Sequence, residues 1–490
     1  MTQPSILYGL FLLSVVLLYW VVPNQRAKLW VMLSSSLLFY ATLQAQYIPL
    51  MLVLAGLNFV LGKALGTPLD WRIPNEAWAY AQADWQRRRT RLLWLGIALN
   101  VLLLLGFKYL NPWLLAFGIN TAGNGPTPNW MPLGLSFFTF ECIAYLVDVY
   151  RGSPASDRLL EFSAYKLFFP KLISGPITRF HSFTGQLKTL SFPSISQQAE
   201  GLWLIAAGAV KKLLIADRIG QLVTLSAESL PRAGSGDIWL LAVAYGIQLY
   251  FDFSGYVDMA RGSAMLLGIN LPQNFNFPYF ATSIADFWRR WHITLGDWLR
   301  NYLYFPLGGS RRDLTRTCLN LMIVMLVAGV WHGDRWGFIV WGAIHGLALI
   351  LHRLSTSLSE RSKIIAAFWQ SLPGIVLAWG LTQFTVFFSW IFFRLPSLNE
   401  ASLAIRHLIG HSGDVQFAQK VYIESFNLNR PQISFLLAGI LGLMGFAYAV
   451  QRGLKLEISW PVKVFLLPLC FYLAWVLAPT EASPYIYFDF

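Results

Sequence analysis

Charge is what this sequence has least of. Only 12% of its 490 residues are Asp, Glu, Lys or Arg, about half the share found in a soluble domain. Apolar runs recur from end to end, and 56% of the chain is hydrophobic, which excludes a soluble domain with a single anchor and predicts a polytopic membrane protein. Cysteine is also scarce. Cys142, Cys318 and Cys470 lie far apart, within or beside apolar runs. No CxxC pair exists, so neither a disulfide framework nor a zinc site is indicated. There is no HExxH, no GxSxG elbow, no Walker loop and no Rossmann glycine motif. Internal repeats, low-complexity linkers and a soluble domain are missing too. The net charge of +13 does not point to nucleic acid, because many basic residues sit in short loops between apolar runs, where a positive-inside bias places them.

The apolar runs are Ile6–Val22, Leu29–Leu43, Tyr47–Leu61, Leu92–Phe107, Leu133–Val149, Leu202–Ile215, Ile238–Phe253, Leu319–Trp331, Trp336–Leu351, Ile375–Phe393, Ile433–Val450 and Val462–Leu477. They predict about twelve crossings, or about eleven if the lysine-interrupted 202–215 segment does not cross. Ile6–Val22 has no basic region before it and is expected to be a retained first helix rather than a signal peptide. Arg26, Lys28 and the polar loop Gly66–Arg91, closing with QRRRTR, belong in the cytoplasm. The N-terminus and the uncharged loop Asn111–Trp130 are then outside. Phe162–Ile177 holds Lys166, Lys171, Pro170 and Pro176, and a segment so broken fits a re-entrant or kinked element. Pro396–Pro431 is the largest polar insertion of the last third.

Two histidines have distinctive settings. His292 lies in ATSIADFWRRWHITLGDWLRNYLYFPLGG, too polar for a lipid-facing span. Read as one helix, it places Ala285, Trp288, His292, Leu295, Leu299 and Tyr302 on a single face, with Asp286, Arg289, Arg290 and Arg300 on others. His332 ends the apolar run 319–331, whose one polar residue is Asn320. Ionisable groups at membrane depth are costly and usually line a cavity or pathway. The separation of the two histidines is no metal-ligand spacing, so acid–base work is the natural role if they act, since imidazole titrates near neutrality and burial keeps it able to accept a proton. His181, His407 and His411 read as solvated loop residues, and His345 and His352 as hydrogen-bonded core or interface residues. Glu141, Asp148, Asp252 and Asp258 are expected to pair with cations. Arg261, Arg289 and Arg290 are the partners proposed for Asp252 and Asp258, and the alternative for the arginines is an anionic ligand.

The stretches PLGLSFFTFECIAYLVDVYRG (132–152), FFPKLISGPITR (168–179), QLYFDFSGYVDMARGSAMLLGINLPQNFNFPY (248–279), FWRRWHITLGDWLRNYLYFPLGG (287–309), VWHG (330–333), WGAIHG (341–346), FFSWIFFR (387–394) and YIYFDF (485–490) form a recognisable set. Through them the sequence resembles the membrane-bound O-acyltransferase (MBOAT) superfamily, in its bacterial alginate O-acetylation, AlgI-like branch. The resemblance covers nearly the whole chain, and the 248–346 block is its specific core. The resemblance implies one integral membrane domain over 1–490, an all-α polytopic fold with a ring of helices around a tunnel, and re-entrant or interfacial helices besides the spans. His332 matches the family's catalytic histidine. His292 matches a second family position, commonly His, Asn or Asp. Arg289, Arg290, Trp291, Asp297, Trp331 and His345 are expected to bind substrate or donor, or to support the site, and no metal is expected.

What the residues and the resemblance together imply is acyl transfer to a hydroxyl at a bacterial inner membrane. No bound cofactor is expected. The acyl donor is acetyl-CoA or another acyl thioester. The acceptor is an exported polysaccharide or a periplasmic acetyltransferase that relays the acetyl group, with polymer-export machinery and membrane lipid as further partners. D-alanyl transfer to a cell-envelope polymer, the work of a sister branch, is the nearest rival. A transporter or flippase is the alternative from another class, and it predicts inverted repeats, which the sequence does not display.

Overall fold

Hydrocarbon offers no partner to a backbone N–H or C=O, so apolar runs in a bilayer close their hydrogen bonds within themselves as helices. The structure is a computed structural model that describes residues 5–70, 72, 74–116, 131–478 and 483–488. Among those residues no strand occurs. Among the described residues seven stretches are long and apolar enough to cross a membrane, namely Gln25–Gly66, Glu76–Tyr109, Ser235–Leu266, Leu314–His332, Trp336–Arg361, Leu372–Arg394 and Arg430–Gly453. Ile6–Val21 and Trp460–Val476 are shorter apolar helices. The architecture is that of an all-helical, multi-pass integral membrane protein.

Several boundaries differ from the sequence reading. The expected polar loop Gly66–Arg91 is helical from Asn75 onward, as part of a helix Asn75–Ala116. Its Ala, Gln, Glu and Arg residues are strong helix formers and prolong the apolar span beyond the hydrophobic region. That helix also takes the first residues of the expected loop Asn111–Trp130, and 117–130 lie outside the described residues. Leu202–Ile215 divides into a helix Ile195–Val210 and a π-turn Lys211–Ala216. The helix Leu159–Lys166 stops ahead of Pro170 and Pro176, and residues 167–179 have no regular helix. The helix expected to end at Leu351 continues to Arg361. The polar insertion 396–431 contains the helix Leu398–His407, started by a capping box between Ser397 and Glu400.

The chain packs as two compact units, Met1–Leu202 with Met259–Pro272 and Trp203–Asp258 with Gln273–Phe490. In the first, the buried Glu141 carboxylate accepts from Lys171 Nζ at 2.6 Å, Lys166 Nζ at 3.3 Å and the Thr178 amide at 2.9 Å. Burial pushes the Lys171 ammonium down to about 8, against the pull of Glu141. Arg89 closes helix ends in the same unit, donating to the carbonyls of Leu65, Val149 and Tyr150.

In the second unit Lys212 is the hub. Its Nζ meets Asp252 at 2.7 Å and Asp217 at 2.8 Å, and donates to the Pro484 carbonyl at 3.3 Å. The Ile486 amide donates to Asp252, so the segment 484–486 is tied to the same cluster. Lys211 pairs with Asp258 at 2.5 Å. Lysines that the sequence did not single out as partners therefore pair with both carboxylates. The π-turn places two consecutive lysines against both carboxylates, which periodicity alone could not show. Burial raises the Asp217 carboxyl to about 6, and Lys212 opposes that rise.

The helices Leu314–His332 and Trp336–Arg361 form a tight antiparallel hairpin, with glycine on both sides of the contact. A methyl group on Gly342 would strike the Met325 carbonyl, and one on Gly329 the Phe338 carbonyl. Small residues allow such backbone approach, as is common between membrane helices. Gly342→Leu is expected to force the pair apart, lowering the melting temperature in detergent by about 5 °C or more and reducing membrane abundance. Gly442→Leu, where nothing lies within 4 Å, should be tolerated. Equal melting of the two variants would contradict this account of the hairpin.

Candidate active site

The segment around His292 is two short helices rather than one. Ser283 caps the helix Ile284–Arg290 by accepting from the Asp286 amide. Trp291 is then extended and His292 is left-handed at φ 44°, ψ 53°, before a second helix Ile293–Leu299. The single apolar stripe from 285 to 302 is thus interrupted at its centre. The physical reason is a clamp from outside the segment: Asn276 N donates to the Arg290 carbonyl, and Ile293 N donates to the Asn274 carbonyl, each at 2.9 Å. A uniform helix could not make both bonds. The break turns the His292 ring inward, and the residue is 1% exposed.

His332 arrives from another direction, as the last residue of the Leu314–His332 helix, and is also buried. The two histidines meet on one indole. The Trp331 ring centroid lies 6.3 Å from that of His292 and 4.8 Å from that of His332. Phe253 packs against His292 at 4.8 Å. Trp341 at 5.1 Å, Phe393 at 4.9 Å and Phe338 at 6.0 Å surround His332. Burial holds the His292 imidazolium far below the usual range, at about 3, so at neutral pH the ring is uncharged and a weak base. Rings on this many sides exclude water and strengthen whatever polar contacts the imidazoles make.

His345 completes the chain of rings, 5.0 Å from Trp341. Its hydrogen bonds assign its tautomer. The Trp288 indole N–H can only donate, and it lies 3.3 Å from His345 Nδ1. The proton therefore sits on Nε2, which donates to Ser389 Oγ at 2.9 Å, and that hydroxyl donates on to the Val386 carbonyl at 2.7 Å. With both nitrogens engaged, His345 is a strut between three helices.

The structure brings together His292, Trp331 and His332 and, through Trp341, His345. Trp291 lies in the next layer, stacked on Phe287 at 5.7 Å and against Trp390 at 5.3 Å. The polar candidates lie elsewhere on the segment. Arg290 pairs with Asp286 at 2.8 Å and Asp297 with Arg300 at 2.6 Å. Arg289 is exposed, with its Nε on the Ala285 carbonyl. Among the described residues no group of three or more His, Cys, Asp or Glu could hold a metal ion. His407 is not simply solvated: its Nδ1 is 3.0 Å from the Ala233 carbonyl and its ring stacks on His411 at 3.6 Å. His181 lies in the helix Phe180–Lys188 rather than a loop.

Phe338, Trp341, Phe393, Phe253, Ser389 and Asn274 belong to this neighbourhood and were not singled out from the sequence. Phe338, Trp341 and His345 stand at i, i+3 and i+7, a spacing that marks one helix face. Ser389 and Phe393 share a face in the same way. Nothing local marks Phe253 or Asn274.

Comparison with known proteins adds to this geometry. The profile of the membrane-bound O-acyltransferase family matches residues 6–388, a stretch that contains His292, His332 and His345 and stops just short of Ser389. The chain is 36% identical over 389 residues to the probable alginate O-acetylase AlgI of Pseudomonas aeruginosa, covering 77% of this chain and 69% of that protein. It is 32% identical over 497 residues to that of Pseudomonas putida, covering 95% of each. It is 35% identical over 416 residues to the peptidoglycan O-acetyltransferase of Helicobacter pylori, covering 79% of this chain and 74% of the relative.

A strut and a reactive group respond differently to truncation. His345→Ala strands the Trp288 and Ser389 polar groups and opens a cavity, a loss on the order of 2–4 kcal/mol. Its melting temperature in detergent should fall well below that of the wild type, and that of Ser389→Ala by less. A His345→Ala protein that melts with the wild type would show that these bonds carry no stability.

Proposed function

We propose a function from one premise: the chain belongs to the membrane-bound O-acyltransferase family. It transfers an acetyl group from a thioester on the cytoplasmic side, acetyl-CoA or another acyl thioester, to a hydroxyl of an exported polysaccharide or of a periplasmic relay protein. The observation that carries this reading is the pair of buried imidazoles on one indole, each at a helix end and each enclosed by aromatic rings. Acetyl rather than another acyl group is supported by the relatives, which are named as O-acetylases and an O-acetyltransferase. A relay protein and polymer-export machinery are the partners this reading requires.

In the proposed reaction His332 takes the proton of the acceptor hydroxyl as its oxygen attacks the thioester carbonyl carbon. The tetrahedral oxyanion collapses, the carbon–sulfur bond breaks, and the thiolate leaves with the proton from the His332 imidazolium. The products are the acetyl ester and the free thiol. His332 ends its helix, where the negative pole of the macrodipole stabilises an imidazolium. His292, held neutral by burial, carries one ring N–H and can serve as a hydrogen-bond donor. Directed at the oxyanion, such a donor is worth about 3 kcal/mol. Trp331 touches both rings and holds their spacing. Arg289, exposed on the same segment, is available to an anionic part of the donor, whereas Arg290 and Asp297 hold the segment through their own ion pairs.

Replacing the base should separate chemistry from packing. His332→Ala is expected to abolish acetylation of the exported polymer at unchanged membrane abundance. His292→Asn should retain partial activity, since an amide still donates a hydrogen bond, and His292→Ala should do worse. The measurement is acetyl content with abundance followed on the same samples. Wild-type acetylation by His332→Ala would end the mechanism.

The orientation we propose, in the cytoplasmic membrane of a bacterium with the N-terminus outside, rests on the basic residues Arg26, Lys28 and 87–91. In a background lacking Cys142, Cys318 and Cys470, Tyr80→Cys should escape an impermeant thiol reagent added to intact cells. Labelling there would invert the topology.

A further inference from the structure

A helix start normally takes a capping oxygen from its own N-cap residue, which bonds the amide of the second or third helical residue. The N-cap of the helix Ile293–Leu299 is His292, and its side chain makes no such bond. The two first amides are nevertheless both satisfied, and both by Asn274. The Asn274 carbonyl accepts from Ile293 N at 2.9 Å. Its Oδ1 accepts from Thr294 N at 2.9 Å and from Thr294 Oγ1 at 2.8 Å. Asn274 is 0% exposed, so no water shares this work.

We propose that Asn274 is a positioning residue for His292, a cap supplied in trans so that the N-cap position can be given to an imidazole facing the site. The inference rests on the reading of His292 as a site residue. Three consequences of the geometry support it. A capping side chain bends back over its own helix, whereas the His292 ring packs on Phe253 and Trp331. The left-handed backbone of His292, at φ 44°, is one that residues with a Cβ resist. It is held because residues on both sides are fixed, Arg290 by Asn276 and Ile293 and Thr294 by Asn274. Without the Asn274 side chain, Thr294 would lose two hydrogen bonds at once, both to the same Oδ1. The helix start would then relax towards the right-handed region and carry the ring off Trp331.

The test uses the full-length membrane protein and reads acetyl released by mild alkali from the cell-envelope polymer, at matched membrane abundance. Asn274→Ala should reduce acetylation by about tenfold or more, the scale of a misplaced catalytic group. Asn274→Asp, which keeps the accepting oxygens, should restore most of it. The deciding comparison is the His292→Asn background. Asparagine tolerates the left-handed region better than most residues and can cap Thr294 with its own side chain. There Asn274→Ala should cost less than about threefold. The same fold-loss in both backgrounds, or no loss in the wild type, overturns the positioning role. If Asn274→Ala does not accumulate, Thr294→Val, which removes one of the two donors to Asn274 Oδ1, is judged by the same pair of backgrounds. Wild-type acetylation by His292→Ala would instead refute the reading of His292, whatever Asn274 does.

Discussion

A polar group that enters a membrane domain must find its partner within the protein, because lipid supplies none. Each compact unit answers that demand around a buried charge, a carboxylate in one and an ammonium in the other. In one, Glu141 gathers Lys166, Lys171 and the Thr178 amide. In the other, Lys212 gathers Asp217, Asp252 and the Pro484 carbonyl. Burial itself raises the Asp217 carboxyl and lowers the Lys171 ammonium, and the opposite charge beside each opposes the shift. Removing Glu141 or Lys212 would leave several buried charges unpaired, so single changes at these hubs are expected to be far more damaging than exchanges of whole clusters.

The same demand organises the candidate site, but with aromatic rings and backbone amides in place of ion pairs. His345 is satisfied at both nitrogens and spans three helices. His292 and His332 are held by geometry, one by a backbone break clamped from Asn274 and Asn276, the other by its place at the end of a glycine-packed hairpin. Rings fixed in place before the substrate arrives are what a preorganised acid–base site requires.

Hydropathy made the helices legible, because a run of apolar residues has one structural outcome in lipid. It was silent where polar helix formers prolong a span, so that Asn75–Arg91 read as a loop and proved to be helix. Periodicity assumes an unbroken helix and therefore misread 281–305, where a left-handed residue resets the phase. His292 and His332 stood out because a histidine beside an apolar run is unusual. The cage around His332 did not, because Phe and Trp in a membrane protein are common and only their convergence is informative. Partners far apart in sequence were beyond local reasoning: Asn274 for Thr294, Lys212 for Asp252, Ser389 for His345.

The π-turn Lys211–Ala216 also bears on how this chain can be aligned and how it can vary. An i→i+5 turn accommodates one more residue than the α-helical turn it replaces. Deletion of a single codon there would restore a regular helix. Because the wider turn absorbs the extra residue, the helical segments on either side would keep their phase, and the residues within the turn would shift instead, by about 100° for each position. Lys211 and Lys212 could not then keep both Asp258 and Asp252. Chains that differ in length by one residue at this point are therefore expected to differ in their buried charges as well. An alignment gap placed elsewhere in the helix would pair lysines with residues that do not share their role.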